Sequence, residues 1–428
     1  MLDLKFIREN PDLVRAACAK KRMEVDVDRI LELDRRLREL RREQEAVRAE
    51  QNAKSKEMPK LQGAEKAALL EKTRELAARL KTFDPEATAL EAELQPLLLR
   101  VPNIPAPEVP DGRDDSENVE IRRVGVPRTF DFKPRDHVEL GELLDALDVE
   151  RAARIAGSRT YFLKNDGALL ELAVLKYAFD HMVSAGFTPM LVPHLVRDEA
   201  MLGTAYLPGG EEQAYRCDRD DGWLIGTAEV PVTAYRMGEI LDESELPVKM
   251  AGWSPCYRRE AGTYGKDTRG IYRIHQFQKV EQVVLCRNDV EESKRFHDEI
   301  LGHAETILRN LELPYRVVDV CGGDLGRPQV RKFDVETWMP SRNGYGETHS
   351  ASRFHDFQSR RLNIRYRDAG GTVRFVHTLN NTVIASPRIL IPLLENHQQA
   401  DGSVAIPKVL RPYMNGREVI VPRPRRKG

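Results

Sequence analysis

Hydrophobic positions change their period part-way along the chain, and that change divides the molecule. From Ile30 the apolar or tolerated positions step by three and four, through Leu33, Leu37, Leu40, Gln44 and Val47. A second run repeats the pattern at Leu69, Thr73, Leu76, Leu80, Phe83, Ala87, Leu90, Leu94 and Leu97. Alternating steps of three and four keep one narrow stripe on a helix, the seam of a coiled coil. Between the runs lies KSKEMPKLQGAEK, where Pro59 and Gly63 mark a turn. Two helices joined by a short turn fold back on each other, so the pattern predicts an antiparallel hairpin over residues 28–98. Helices of about 30 residues give a rod of about 45 Å at 1.5 Å per residue. Pro85 falls inside the second run, but the seam continues in phase beyond it. One helix with a local bend is expected there.

The stretch RVPNIPAPEVPDGRDDSENVE ends this regime, because prolines 102, 105, 107 and 110 exclude helix and sheet interior. It reads as a linker over 101–118, between an N-terminal domain at 1–100 and a second domain at 119–420. Downstream, a helical stretch at 167–185 is followed by short strand-like runs: TPMLVP, GWLIG, RIHQFQKVEQVVLC, YRVVDVC and LNIRYR. Glycine turns join several of them, which predicts an antiparallel sheet flanked by helices. The fold class is therefore α+β, with a coiled-coil hairpin preceding a sheet domain. The tail at 421–428, VPRPRRKG, is basic and proline-rich and reads as disordered.

Composition alters this picture little. With 428 residues the chain exceeds one ordinary core. Its formal net charge is −1, so no global field announces a nucleic-acid partner. Such binding depends on charges at the interface, and neutrality leaves RNA open. The arm carries Arg35, Arg36, Arg38, Arg41, Arg42 and Arg48 against Glu32, Glu39, Glu43 and Glu45. Charge alone makes that a solvated coiled-coil face; contact with a nucleic-acid backbone needs support from elsewhere. Cys18, Cys217, Cys256, Cys286 and Cys321 are dispersed and never form a C-x-x-C pair. They read as reduced thiols of a cytoplasmic protein, with no zinc site expected. The opening MLDLKFIRENPDLVRAACAKK does not read as a signal peptide, and no segment is long and apolar enough to span a membrane.

The most informative segment is CYRREAGTYGKDTRGIYRIHQFQKVEQVVLC, two strand-like stretches around a polar loop. A period of two puts Arg273, His275, Phe277, Lys279 and Glu281 on one face and Tyr272, Ile274, Gln276, Gln278 and Val280 on the other. Arg258 and Glu260 share parity on the first strand. Arginine forks suit phosphate and a flat ring suits a base. A solvated face with chance ion pairs would alternate charge too, but it would not need the ring. A second constellation is FVHTLNNTVIASPRILIPLLENHQ. A strand through Asn380 and Thr382 should lead to Ser386-Pro387 as N-cap and first residue of a helix, with Arg388 in its first turn. A cation there opposes the helix dipole, which a bound phosphate would explain. Pro392 should bend that helix. Glu347, three residues before Ser350, offers hard oxygen ligands for magnesium and phosphate, although E-x-x-S is common by chance. His275, His349, His355 and His377 read as structural or hydrogen-bonding residues, since no pair has zinc-site spacing.

Together these segments resemble a known family. Tyr257–Glu260, a loop and Arg273–Glu281 match F/Y-R-x-E and R-x-H-Q-F-x-K-V-E, which is similar to motif 2 of class II aminoacyl-tRNA synthetases in its seryl version. The stretch through Arg388 ending in E-N-x-Q resembles motif 3, and Val192-Pro193 after a long helix resembles motif 1. LDLKFIRENPD, VPNIP, HVELGE, GSRTYFLK, GTAEVP and DFQSRRLNIRY extend the likeness over nearly the whole chain. The arm, TAEVP and HQFQKVE point to the seryl branch. Two stretches depart from the family. E-I-S-S is here Glu347-Thr348-His349-Ser350, and N-G-S-G-L-A-V-G-R is N-N-T-V-I-A-S-P-R. Thr382 for serine keeps the hydroxyl.

The resemblance implies an ATP-dependent serine–tRNA ligase, homodimeric and using Mg²⁺ with ATP. Its substrates would be L-serine, ATP, tRNA(Ser) and also tRNA(Sec). It further implies that Thr227, Ala228, Glu229, Glu281, Asn380 and Thr382 bind serine. Arg258, Arg259, Glu260, Ile274, Phe277, Glu347, Thr348, His349, Ser350 and Arg388 would bind ATP. Arg258 and Arg388 would stabilise phosphate charge, and Glu347 and Ser350 would hold magnesium. Two alternatives remain: a non-catalytic coiled-coil paralogue, which should have lost Arg258, Glu281 or Arg388, and an amino acid:carrier-protein ligase, which should lack the arm and hold zinc.

Overall fold

A computed structural model describes residues 1–262 and 269–423. The chain divides into two compact units, Met1–Ile104 and Pro105–Gly428.

In the first unit, α1 (Leu4–Glu9) and α2 (Pro11–Lys20) precede the hairpin of α3 (Val27–Glu57) and α4 (Gly63–Arg100). Asp26 starts α3 by accepting a hydrogen bond from the Arg29 N–H at 2.9 Å. Seam residues Ile30, Leu33, Leu37, Leu94 and Leu98 pack with Ile7 and Val14, while Leu40, Val47, Leu76 and Phe83 form a second cluster further along. The arm is longer on its return. α4 has 38 residues, about 57 Å at 1.5 Å per residue, because it continues unbroken through Pro85 and on to Arg100. The expected turn is mostly helical as well. α3 runs to Glu57, Pro59 sits in a 3₁₀ turn at Met58–Lys60, and only Leu61 and Gln62 lie outside helix. Across the hairpin Arg29 pairs with Glu93 at 2.7 Å, Arg36 with Glu86 at 2.9 Å and Arg41 with Glu91 at 2.5 Å. Exposed pairs of this kind set register more than they add stability, about 0–1 kcal/mol each.

The second unit is built on an eight-stranded sheet. In chain order its strands are β1 (Val119–Val124), β2 (Thr188–Leu191), β3 (Val248–Tyr257), β4 (Gln276–Cys286), β5 (Tyr315–Asp319), β6 (Arg331–Met339), β7 (Gly344–His355) and β8 (His377–Ser386). Their spatial order is β1-β5-β6-β7-β8-β4-β3-β2. Every pairing is antiparallel except β2 with β3. Outside the sheet, α5 (His137–Leu143), α6 (Asp166–Ser184), α7 (Val290–Asn310) and α8 (Leu390–His397) carry the parts used below. The core on one face joins Val280 and Val284 of β4 with Phe296, Ile300 and Ile307 of α7. Gln282 and Asn381, neighbours across β4 and β8, both donate to the Ile300 carbonyl, at 2.8 and 2.7 Å. With that face closed by helices, the opposite face of the same strands is left for chemistry. No helix among the described residues is long and apolar enough to cross a membrane.

Candidate active site

The open face holds a cleft of about 200 Å³. Phe277, Lys279 and Glu281 reach it from alternate positions of β4, as the period of two requires. Asn380 and Thr382 reach it from β8, with Ala385. That spacing of three needs an irregularity, and the register supplies it. Val280 pairs with Ile384 but Glu281 pairs with Thr382, so Val383 is an extra residue. β7 uses the same device. Val335 pairs with His349 and Glu336 with Glu347, so Thr348 is bulged and Glu347 joins Ser350 on the cleft side. A flat strand would have sent those two side chains to opposite faces.

Two buried carboxylates line the cleft. Glu281 is buried, pairs with Lys279 Nζ at 2.5 Å and accepts from the Thr382 hydroxyl at 3.4 Å. Glu229 is also buried but is held by neutral groups. The Tyr206 hydroxyl donates to Oε2 at 2.8 Å and Gln358 Nε2 to Oε1 at 2.8 Å. Gln358 is itself fixed by the Thr378 hydroxyl, which donates to its Oε1 at 2.6 Å. Burial and then the Glu281 charge push the Glu229 carboxyl above its ordinary range, against the pull of Tyr206, Gln358 and Lys279. Thr227 and Ala228 are buried and do not line the cleft; the Thr227 hydroxyl accepts from the Glu229 N–H at 3.1 Å.

Two arginines line the cleft as well. Arg258 donates from Nε to the Gly226 carbonyl at 3.2 Å, and its guanidinium lies 5.1 Å from the Phe277 ring centre. Arg388 donates from Nε to the Tyr272 carbonyl at 3.3 Å and from a terminal nitrogen to the Glu347 carbonyl at 3.1 Å. Its guanidinium covers the Tyr272 ring at 4.4 Å. The Glu347 carboxylate opens to the cleft and makes no hydrogen bond or ion pair with described residues. Burial raises its pKa, but Arg388, Lys332, Arg258 and Arg273 outweigh that and hold it below the ordinary range. Ser350 faces Asp334 across the ladder between β6 and β7, and burial pushes the Asp334 carboxyl up, with Lys332 opposing and Glu347 reinforcing. Hard oxygens of this kind, one carboxylate unpaired, suit magnesium shared with phosphate.

Several sequence expectations need correction. Ser386 is the last residue of β8 and Pro387 lies in the turn that follows it, so this pair neither caps nor opens a helix. α8 starts at Leu390, which leaves Arg388 outside it. Two carbonyls and the Tyr272 ring hold Arg388. Pro392 is the third residue of α8, within the first turn where a missing N–H breaks no helical bond. The strand parity assigned upstream of Gln276 also fails, because β4 begins there. In the irregular segment before it, Tyr272 and Ile274 line the cleft with Phe277, while His275 Nδ1 lies 3.0 Å from the Arg258 carbonyl. Arg258 and Glu260 likewise follow the end of β3, yet both line the cleft. Glu260 does so from a left-handed backbone at φ 51°, and Arg259 does not line the cleft. The polar loop expected between these strands includes residues 263–268, outside the described residues, as are 424–428 of the tail.

Residues 1–105 match the family described as seryl-tRNA synthetase N-terminal domain, and 215–397 match the tRNA synthetase class II core domain (G, H, P, S and T). A serine–tRNA ligase of Deinococcus radiodurans is 50% identical over 98% of this chain and 99% of its own length. The chain belongs to the seryl-tRNA synthetase family. The Pyrococcus horikoshii seryl-tRNA synthetase, solved with ATP, superposes at TM-score 0.95 with 42% identity, covering 99% of this chain and all of that one. The Naegleria fowleri cytoplasmic serine–tRNA ligase, solved with AMP, gives 0.89 with 33% identity over 99% of both.

His349 belongs to the stretch that departs from E-I-S-S, and the structure shows what it does. It is buried, with Nε2 3.1 Å from the carbonyl of bulged Val383 and Nδ1 2.8 Å from the hydroxyl of bulged Thr348. One side chain thus joins the bulged residues of both strands. Burial pushes its pKa down to about 4. Sequence reasoning missed Tyr206, Gln358 and Thr378 behind Glu229, and it assigned Tyr272 to the wrong face. The first three carry no local signal, since they lie 23, 129 and 149 residues from Glu229 along the chain.

Proposed function

We propose that the chain is an ATP-dependent serine–tRNA ligase acting in two steps. A serine carboxylate oxygen attacks the α-phosphorus of ATP as the bond to pyrophosphate breaks, giving seryl-adenylate. A ribose hydroxyl at the tRNA 3′ end then attacks the seryl carbonyl and AMP leaves. The observation that carries the reading is one cleft lined by Arg258 and Arg388 together with Glu229, Glu281 and Thr382. Neither step needs a protein nucleophile; positioning and charge stabilisation supply the acceleration.

In this reading Arg258 meets the α-phosphate and Arg388 the γ-phosphate. Phe277, Glu260 and the Ile274 backbone hold adenine, with Thr348 and His349 shaping the walls and Arg259 outside them. Serine lies against Glu281, Thr382, Asn380 and Glu229, backed by Thr227 and Ala228. A site built to hydrogen-bond a hydroxyl rejects alanine by leaving polar groups unpaired. Glu347 and Ser350 would hold magnesium, which when bound offsets phosphate charge.

The arm is assigned to tRNA(Ser), and to tRNA(Sec), which shares a long variable arm recognised by shape and backbone. Arg42 and Arg48 support this: both are exposed and make no ion pair among the described residues. A homodimer through the motif 1 region is supported by Leu172 on α6 and Leu191 on the edge strand β2, exposed to 57% and 82%. Five free cysteines suit the cytoplasm. The test is ATP–pyrophosphate exchange by the purified chain. Exchange should appear with serine; exchange of equal rate with alanine, or none with any amino acid, overturns the proposal.

A further inference from the structure

Glu395 on α8 is fully buried, yet it does not touch the cleft. It accepts four hydrogen bonds: from the His137 N–H at 3.0 Å, His137 Nδ1 at 2.9 Å, the Ser341 N–H at 2.9 Å and the Ser341 hydroxyl at 2.8 Å. An ionised carboxylate only accepts, so Nδ1 carries the imidazole proton and Nε2 is left as an acceptor. The Ile271 N–H donates to it at 3.4 Å. The neighbouring residue is fitted to the same ring. Gly270 has φ 84°, and a Cβ there would lie 2.0 Å from His137 Nε2. Arg269 pairs with Asp136, the N-cap of α5, at 3.1 Å. Three consecutive residues are thereby seated on the start of α5.

The next residue is Tyr272. Its ring lies between the guanidinium groups of Arg342 and Arg388, at 3.8 and 4.4 Å. Its carbonyl accepts from Arg388 and its hydroxyl donates to the Glu347 carbonyl at 3.3 Å. Whatever fixes Ile271 therefore fixes the platform under Arg388. We infer that His137 is a positioning residue for ATP, tying the motif 3 helix through Glu395 to the Ile271–Tyr272 segment and so placing Arg388. The inference rests on the ATP-binding reading of the cleft.

The variant that separates support from placement is His137→Asn. Its amide nitrogen lies where Nδ1 was and donates to Glu395, but it has no atom to reach Ile271. In serine-dependent pyrophosphate exchange KM for ATP should rise about tenfold, the scale of one lost hydrogen bond, while KM for serine stays within about twofold. His137→Gln, whose side-chain oxygen reaches the Nε2 position, should recover part of that loss. An unchanged KM for ATP, or an equal rise for both substrates, overturns the inference. Should the Asn variant fail to fold, Gly270→Ala displaces the ring without removing it and takes the same measurements with the same two outcomes. Absence of serine-dependent exchange in the unmodified chain would instead overturn the reading of the site.

Discussion

His349 should make this chain acid-sensitive in a way a serine at that position would not. The Val383 carbonyl can only accept, so Nε2 carries the proton of the neutral ring and Nδ1 is left as an acceptor, 2.8 Å from the Thr348 hydroxyl. The folded-state pKa is pushed down to about 4 by burial, from an ordinary value of 6.5. Below pH 6.5 the unfolded chain binds a proton that the folded chain refuses. Stability is therefore complete above pH 6.5 and is lost as the pH falls towards 4. At about 1.4 kcal/mol per unit, the loss from this ring is about 2 kcal/mol by pH 5 and about 3 kcal/mol by pH 4.

Isolating that term needs a difference measurement, because burial also pushes His297 and His355 down to about 3 and His377 to about 4. His349→Gln keeps an amide donor for the Val383 carbonyl and removes the titration. Urea unfolding at pH 7 and pH 5 reads the catalytic unit alone when followed by tryptophan fluorescence, since Trp223, Trp253 and Trp338 all lie there. Unmodified chain should lose about 2 kcal/mol more than the Gln variant between the two pH values. His349→Ser cannot reach Val383, and should cost about 1–3 kcal/mol already at pH 7 for an unpaired buried carbonyl. Equal pH dependence in the unmodified chain and the Gln variant would refute the reasoning.

Other perturbations probe the rest of the molecule. Arg258→Ala and Arg388→Ala should each slow serine-dependent exchange by about 10²–10³-fold, the usual cost of removing one preorganised charge-stabilising donor; a loss below tenfold would take phosphate stabilisation away from them. Lys279→Met strands the buried Glu281 carboxylate and should cost about 3–5 kcal/mol in urea unfolding. Adding Glu281→Gln should return most of that stability, and a double variant no more stable than the single would show that the pair is not what Lys279 balances. Replacing residues 28–98 with a short Gly/Ser linker should spare exchange while tRNA charging falls; undiminished charging would remove RNA recognition from the arm.

The arm was legible because its information is local. A seam of threes and fours names which side chains of α3 and α4 are buried, and the across-hairpin ion pairs follow from that register. Pro85 mattered less than its residue type suggests, since Phe83 and Leu94 remain buried on either side of it and the seam holds the helix together. The sheet was legible only where a strand is regular. Phe277, Lys279 and Glu281 obey the period of two, whereas Tyr272 and Ile274 precede the first ladder bond of β4 and obey nothing a period can express. The two bulges lie beyond any single-strand pattern. An extra residue is defined against its partner strand, so Thr348 and Val383 look ordinary until β6 and β4 are laid beside them. Motif resemblance found the residues around the bulges without explaining how Glu347 and Ser350, three apart, share a face.

The two carboxylates of the cleft show how much of its specificity lies beneath its walls. Glu281 and Glu229 both sit out of water, but only Glu281 has a cation, Lys279, at 2.5 Å. Glu229 has a phenol and an amide, which hold its orientation without cancelling its charge. Its raised pKa is the mark of that deficit, with burial the larger cause and the Glu281 charge the next. A ligand that brings one positive charge beside Glu229 and one hydroxyl beside Glu281 and Thr382 meets both needs together. On the proposed reading, the ammonium and side-chain hydroxyl of serine do so, and alanine meets only the first. Discrimination then depends on Glu281 being already paired. If it were the uncompensated carboxylate, it would draw the ammonium of any amino acid, and the hydroxyl would lose its distinct partner.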